Sequence, residues 1–131
     1  MIKFEDDSFQ KFTYTKEQIK KFFENAQKDL KMAENLNNSE IAYRICYEAL
    51  IKLGIAMISK FNYKVRSNTG HHYKILQKIA EITKLKDEVN YIQFVRRKRN
   101  ADLYEGGADF TETELRNLLK ITKKIFNHIP K

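Results

Sequence analysis

The residues with most to offer chemically lie in one run, Phe94-Val95-Arg96-Arg97-Lys98-Arg99-Asn100-Ala101-Asp102-Leu103-Tyr104. At about 100° per residue, Arg99 falls between Ile92, Val95 and Leu103, in the middle of a helical apolar stripe. Arg96 lies on the edge of that stripe, and Asn100 stands about 100° round from Arg99 toward Tyr104. An arginine among apolar neighbours is costly unless it is paired or opens onto a groove. One reading makes Arg99 half of a buried ion pair, with Asp102 or with Glu48 as partner. Glu48 lies among Ile41, Ile45 and Ile55 and is expected to point inward. The other reading presents Arg99 to a phosphate from a partly dry cleft, where forked guanidinium donors match phosphate oxygens. Arg97 and Lys98 point elsewhere around the helix, as a solvated face does.

The remaining chemical candidates are the histidines and the cysteine. His71 and His72 open a helix, with His72 on the stripe of Ile75, Leu76 and Ile79 and His71 nearer the preceding loop. Adjacent helical histidines diverge by about 100° and rarely share one metal ion, and no third ligand of suitable spacing is visible. No metal site is expected; capping or packing is the plainer role, and general-base use the sharper one. His128, in the last turn of the chain, suits a helix C-terminus as a cation. Cys46 sits on an apolar helix and is assigned to the core. A lone cysteine excludes an internal disulfide framework and a cysteine-based zinc site. The chain has no glycine-rich phosphate loop and no evident Ser-His-Asp spacing, so no cofactor is expected.

Five helical stretches position these residues, with no repeat and no dividing linker, so residues 1–131 read as one domain with residues 1–14 as an N-terminal arm. Thr15 opens the first helix with Gln18 completing a capping box, and Ile19, Phe22, Phe23, Ala26, Leu30 and Ala33 form its stripe. Asn37-Asn38-Ser39 ends it, and Ser39 is expected to cap a second helix reaching about Phe61. That helix is apolar nearly all round, which marks the central one. A loop from Asn62 to Gly70 leads to the helix at His71, with Ile75, Leu76, Ile79 and Ile82 inward. The arginine helix runs from about Asp87 to Gly106-Gly107. Thr111 caps the last one, with Glu114 closing the box and Phe110 stapling onto Leu115. Short connections between amphipathic helices predict an all-α, up-and-down bundle of about five helices.

Composition agrees with that outline. In 131 residues, 42% apolar with nine Phe and seven Tyr, there are only four Gly and one Pro, too few turn residues for an all-β fold. No apolar run approaches the roughly 18 residues of a membrane span. The charged start, Met1-Ile2-Lys3-Phe4-Glu5-Asp6-Asp7, does not resemble a signal peptide, so a cytoplasmic location is expected. The formal charge of +8 favours polyanionic partners, although 19 of the 25 basic residues are Lys, which often do no more than solvate a surface.

Taken in order, Ala26-Gln27-Lys28-Asp29-Leu30, Ala42 to Leu50, Gly70-His71-His72-Tyr73 and Arg99-Asn100-Ala101-Asp102-Leu103-Tyr104 resemble the HEPN superfamily. These are small helical bundles, often found beside minimal nucleotidyltransferases. The resemblance spans about residues 22 to 127 and implies a homodimer in which two subunits build one groove. Active members are similar in being metal-independent endoribonucleases that carry an Arg, four to six residues, then a His. Here Arg99 matches the arginine and Asn100 the polar residue after it, but the histidine is missing: the matching positions hold Tyr104, Glu105 and Gly106. A phenol with pKa about 10 is a poor proton shuttle at neutral pH. The resemblance therefore implies RNA or nucleotide binding without cleavage, through Arg96, Arg99, Asn100 and Tyr104. It further suggests a toxin–antitoxin-like pairing with a nucleotidyltransferase partner. The alternatives are a divergent ribonuclease recruiting His71 or His72, and a non-catalytic structural interaction module.

Overall fold

Every helix must satisfy the amide groups left unpaired in its first turn, and this chain does so largely with its own side chains. The computed structural model describes residues 2–68, 70–104 and 111–129, with the side chains of 101–104 left aside. In order these form β1 (Phe9–Lys11), α1 (Lys16–Glu34), α2 (Ser39–Lys60), β2 (Tyr63–Val65), α3 (His71–Thr83), α4 (Lys86–Tyr104) and α5 (Glu112–Phe126). The Thr15 hydroxyl accepts from the Gln18 amide at 3.1 Å while the Gln18 side chain accepts from the Thr15 amide at 2.9 Å. Thr111 and Glu114 repeat the same reciprocal box at the head of α5. At α2 the cap is Asn38 rather than Ser39: Asn38 Oδ1 accepts from the Ile41 amide at 3.0 Å. Asn and Ser cap about equally well, so residue type alone does not choose between them. The Phe110 staple and the Gly106-Gly107 stop lie outside the described residues.

The fold is the all-α bundle expected, with consecutive helices packed as neighbours and α5 returning against α2. α2 is central, burying Ala42, Tyr43, Cys46, Ala49, Leu50, Leu53, Ala56 and Met57 among others. Gly54 lets α3 come close: a Cβ there would overlap Ile75 Cγ2 and stand 3.0 Å from Ile79 Cδ1. Cys46 is core, as expected; burial pushes its thiol up to about 11, and its Sγ lies 3.5 Å from Thr122 Oγ1. No described helix is long and apolar enough to cross a membrane.

The N-terminal arm carries structure that short-range patterning does not reveal. β1 pairs antiparallel with β2 in the register Phe9 to Val65 and Lys11 to Tyr63. Phe9 is fully buried, and Phe4 stacks on Tyr63 with ring centroids 4.4 Å apart. Beneath them lies Lys78, whose side chain is only 1% exposed. Its ammonium meets Glu5 at 3.2 Å and Glu81 at 2.8 Å, and also donates to the Lys3 carbonyl. The Phe4 and Phe9 rings each sit 5.3 Å from it. A buried cation needs such partners, and together they tie the arm to α3.

Candidate anion-binding site

Three helices bring the chemically distinctive side chains to one face. α2 supplies Glu40, Tyr43 and Tyr47, spaced at three and four residues so that they share a side. α3 supplies His72 from its first turn, and α4 supplies Gln93, Arg96 and Arg99, again at three-residue steps.

Arg99 is ion-paired with Glu40, the two side chains 17% and 32% exposed. The partner is thus Glu40 and not Glu48; the side chain of Asp102, the other partner expected, lies outside the described residues. Glu48 is corrected from an inward to an exposed position, and Ile41 beside it is 45% exposed. The α2 surface of Ile41, Ile45, Glu48 and Ile55 is at best half covered, so apolar neighbours along a helix misreport which way Glu48 faces. The pair is partly buried, intermediate between the two arrangements expected of Arg99.

Arg96 is different. Half-buried, it donates from Nε to Gln93 Oε1 at 3.3 Å and makes no ion pair with a carboxylate among the described residues. It lies close enough to act electrostatically on Tyr43, Tyr47 and His72. The Tyr47 hydroxyl beside it is buried and lacks a hydrogen-bond partner among the described residues.

The rings form a row. Tyr43 and Tyr47 have centroids 6.3 Å apart, Tyr47 and His72 5.9 Å, and His72 and His71 4.5 Å. Burial pushes the Tyr43 phenol up to about 12, with Tyr47 adding to the rise and Arg96 and Arg99 opposing it. Burial also raises Tyr47. For His72, burial, then His71 and Arg96, hold the imidazole below its usual 6.5, against the pull of Glu48. His71 turns toward the loop as expected, with Nδ1 3.0 Å from the Asn68 carbonyl oxygen. His128 contacts the Lys124 carbonyl oxygen at 2.8 Å, at the C-terminal end of α5. Among the described residues no group of three or more His, Cys, Asp or Glu is placed to hold a metal ion.

Of the residues singled out from sequence, Arg96, Arg99 and His72 belong to this face. Asn100 is exposed, and the Tyr104 side chain lies outside the described residues. Glu40, Tyr47 and Gln93 were not singled out: the tyrosine spacing hints at a shared face, but no local pattern marks Glu40 as the partner of a residue 59 positions away. What the arrangement offers is a guanidinium and a phenol donor that lack an ion-pair and a hydrogen-bond partner among the described residues, beside an imidazole whose pKa burial lowers, around one partly dry patch. The chain matches no protein-family model, no curated protein and no solved structure.

Proposed function

We propose that the chain is a cytoplasmic, homodimeric, HEPN-like module that binds RNA or a nucleotide at the Arg96–Arg99 face without cleaving it, in a toxin–antitoxin-like pairing with a nucleotidyltransferase. The observation that carries this reading is Arg96, a half-buried cation that makes no ion pair among the described residues, next to the Tyr47 hydroxyl, which has no hydrogen-bond partner among them. A charge and a donor left uncompensated in a partly dry place are unfavourable alone. One phosphate group would satisfy both, neutralising the guanidinium and accepting from the phenol. The net charge of +8 adds attraction toward a polyanion. The sequence resemblance supplies the family, the dimer and the partner, and the missing histidine supplies the absence of cleavage.

Fluorescence anisotropy with a labelled single-stranded RNA tests this. Arg96→Ala is expected to weaken binding by about 1–3 kcal/mol, as for a lost charge-assisted contact. RNA affinity that ignores Arg96 at moderate salt overturns the assignment of the face.

A second reading is favoured by His72, whose depressed pKa leaves it neutral at pH 7 and close to Arg96. Such an imidazole is able to take the proton of a ribose 2′-hydroxyl as that oxygen attacks phosphorus and the 5′-oxygen departs. RNA incubated in EDTA with the protein, with Arg99→Ala and with a His71→Ala/His72→Ala double variant decides. Cleavage that both variants abolish establishes the ribonuclease; intact RNA supports binding alone.

A further inference from the structure

A second concave feature opens on the opposite flank of α4, between it and α3. This cleft, about 480 Å³ in volume, is lined by Tyr73 and Gln77 from α3 and by Asn90, Gln93 and Arg97 from α4. The volume falls in the range typical of small-molecule sites, roughly 300–1,000 Å³. Ala80 and Val89 form its apolar floor, as in any helix–helix seam, and polar side chains, Lys86 among them, ring it. Three carboxamides meet here, and those of Asn90 and Gln77 make no hydrogen bond among the described residues. Gln93 is only 5% exposed, yet just its oxygen is engaged, by Arg96; its NH₂ is without a partner among the described residues. Tyr73 is 46% exposed and presents a ring at one wall. Arg97 has no carboxylate partner among the described residues, and the one acid in the lining, Glu81, is held by Lys78.

We infer that this cleft is a nucleotide subsite, in which the Gln93, Asn90 and Gln77 amides read a base edge, Tyr73 stacks on the base and Arg97 takes its phosphate. Each side-chain amide offers a paired donor and acceptor, the pattern that matches the polar edge of a nucleobase. An exposed aromatic ring is the usual platform for an unstacked base, and a planar guanidinium suits the phosphate. The inference rests on the nucleotide-binding reading of the Arg96 face and narrows it: the ligand has an accessible base edge, as in a single strand or a free nucleotide, rather than a closed duplex. Gln93 joins the two places, since the oxygen that steadies Arg96 belongs to the side chain whose NH₂ lines the cleft.

The test compares a short fluorescent RNA with an abasic strand of the same length, with nucleoside 5′-monophosphates and inorganic phosphate as competitors. The base-bearing strand is expected to bind on the order of tenfold more tightly than the abasic one. Tyr73→Ala/Asn90→Ala, both at exposed positions, should erase that difference and leave abasic binding unchanged. Competition by monophosphates that phosphate alone does not reproduce assigns the cleft to free nucleotides; base-dependent strand binding without it assigns the cleft to RNA. Equal binding of both strands with no monophosphate competition overturns the subsite and leaves the Arg96 reading standing. Failure of every probe to bind overturns both.

Discussion

Because Glu40 already neutralises Arg99, a phosphate reaching that guanidinium has to share it or displace the carboxylate. Glu40→Gln removes the competitor, so RNA binding should tighten by about 1 kcal/mol, whereas Arg99→Ala should weaken it by about 1–3 kcal/mol. The same pair sets the structural cost. Exposed pairs contribute ~0–1 kcal/mol and breaking a buried one costs ~3–5, so partial burial places Arg99→Ala at about 1–2 kcal/mol of lost stability. Looser RNA binding by Glu40→Gln would sink this account. His72 gives a prediction in pH. Its folded pKa lies below 6.5, mainly through burial, while in the unfolded chain it is about 6.5. Between those values the unfolded chain takes up a proton that the folded one refuses. Its share of stability is therefore complete above pH ~6.5 and is lost as pH falls from there through the folded value. An NMR titration should place the His72 midpoint below that of a free imidazole. Arg96→Gln should raise it and Glu48→Gln lower it further; a midpoint indifferent to both would show that the three groups do not communicate.

At the level of elements, the seam between α2 and α3 decides where His72 and Tyr47 meet. Gly54 makes that seam close, since any Cβ there strikes Ile75. Replacing a mid-helix glycine by alanine ordinarily gains about 0.5–1 kcal/mol. Here overpacking should reverse the sign, and Gly54→Ala is expected to lose about 1–3 kcal/mol, read as a lower urea midpoint. An unchanged or raised midpoint would mean that α3 gives way freely. The arm is held differently, by a cation. Lys78→Ala empties a packed site and leaves Glu5, Glu81 and the Lys3 carbonyl without their common partner, costing roughly 2–5 kcal/mol. Amide exchange in Phe9–Lys11 should quicken; protection as in the parent would show that the strands hold themselves. The helices were legible because their signals are local: Thr15 with Gln18, Thr111 with Glu114, and the apolar run of α2 each declare themselves within a few residues. The sheet was not, since two three-residue strands give no readable alternation and pair Phe9 with Val65. The ion pair of Arg99 was legible only in kind. Its stripe showed that a partner or a groove was needed, but the turn of α2 that meets it is fixed by helix packing, which chose Glu40 over Glu48.

For the whole molecule, the proposed groove requires two copies of the chain. Phe94, 57% exposed, and Ile41, 45% exposed, lie on the helices that carry the arginines and Glu40, leaving apolar surface available for a partner. Light scattering at micromolar concentration should report about twice 15.6 kDa. A clean monomer would remove the two-subunit groove while leaving the Arg96 patch intact. The tie between the arm and Lys78 also bears on how the protein comes into being. Synthesis delivers the arm first, yet Glu5 is separated from Lys78 by 73 positions, and Phe9 has to wait for Val65. α1 and α2 are complete in the meantime and pack on each other without either. A newly made chain thus passes through a stage in which Phe4 and Phe9 face water and the edge of β1 stands open, until β2 has emerged to pair with it and enough of α3 has followed to bring Lys78 beneath the rings.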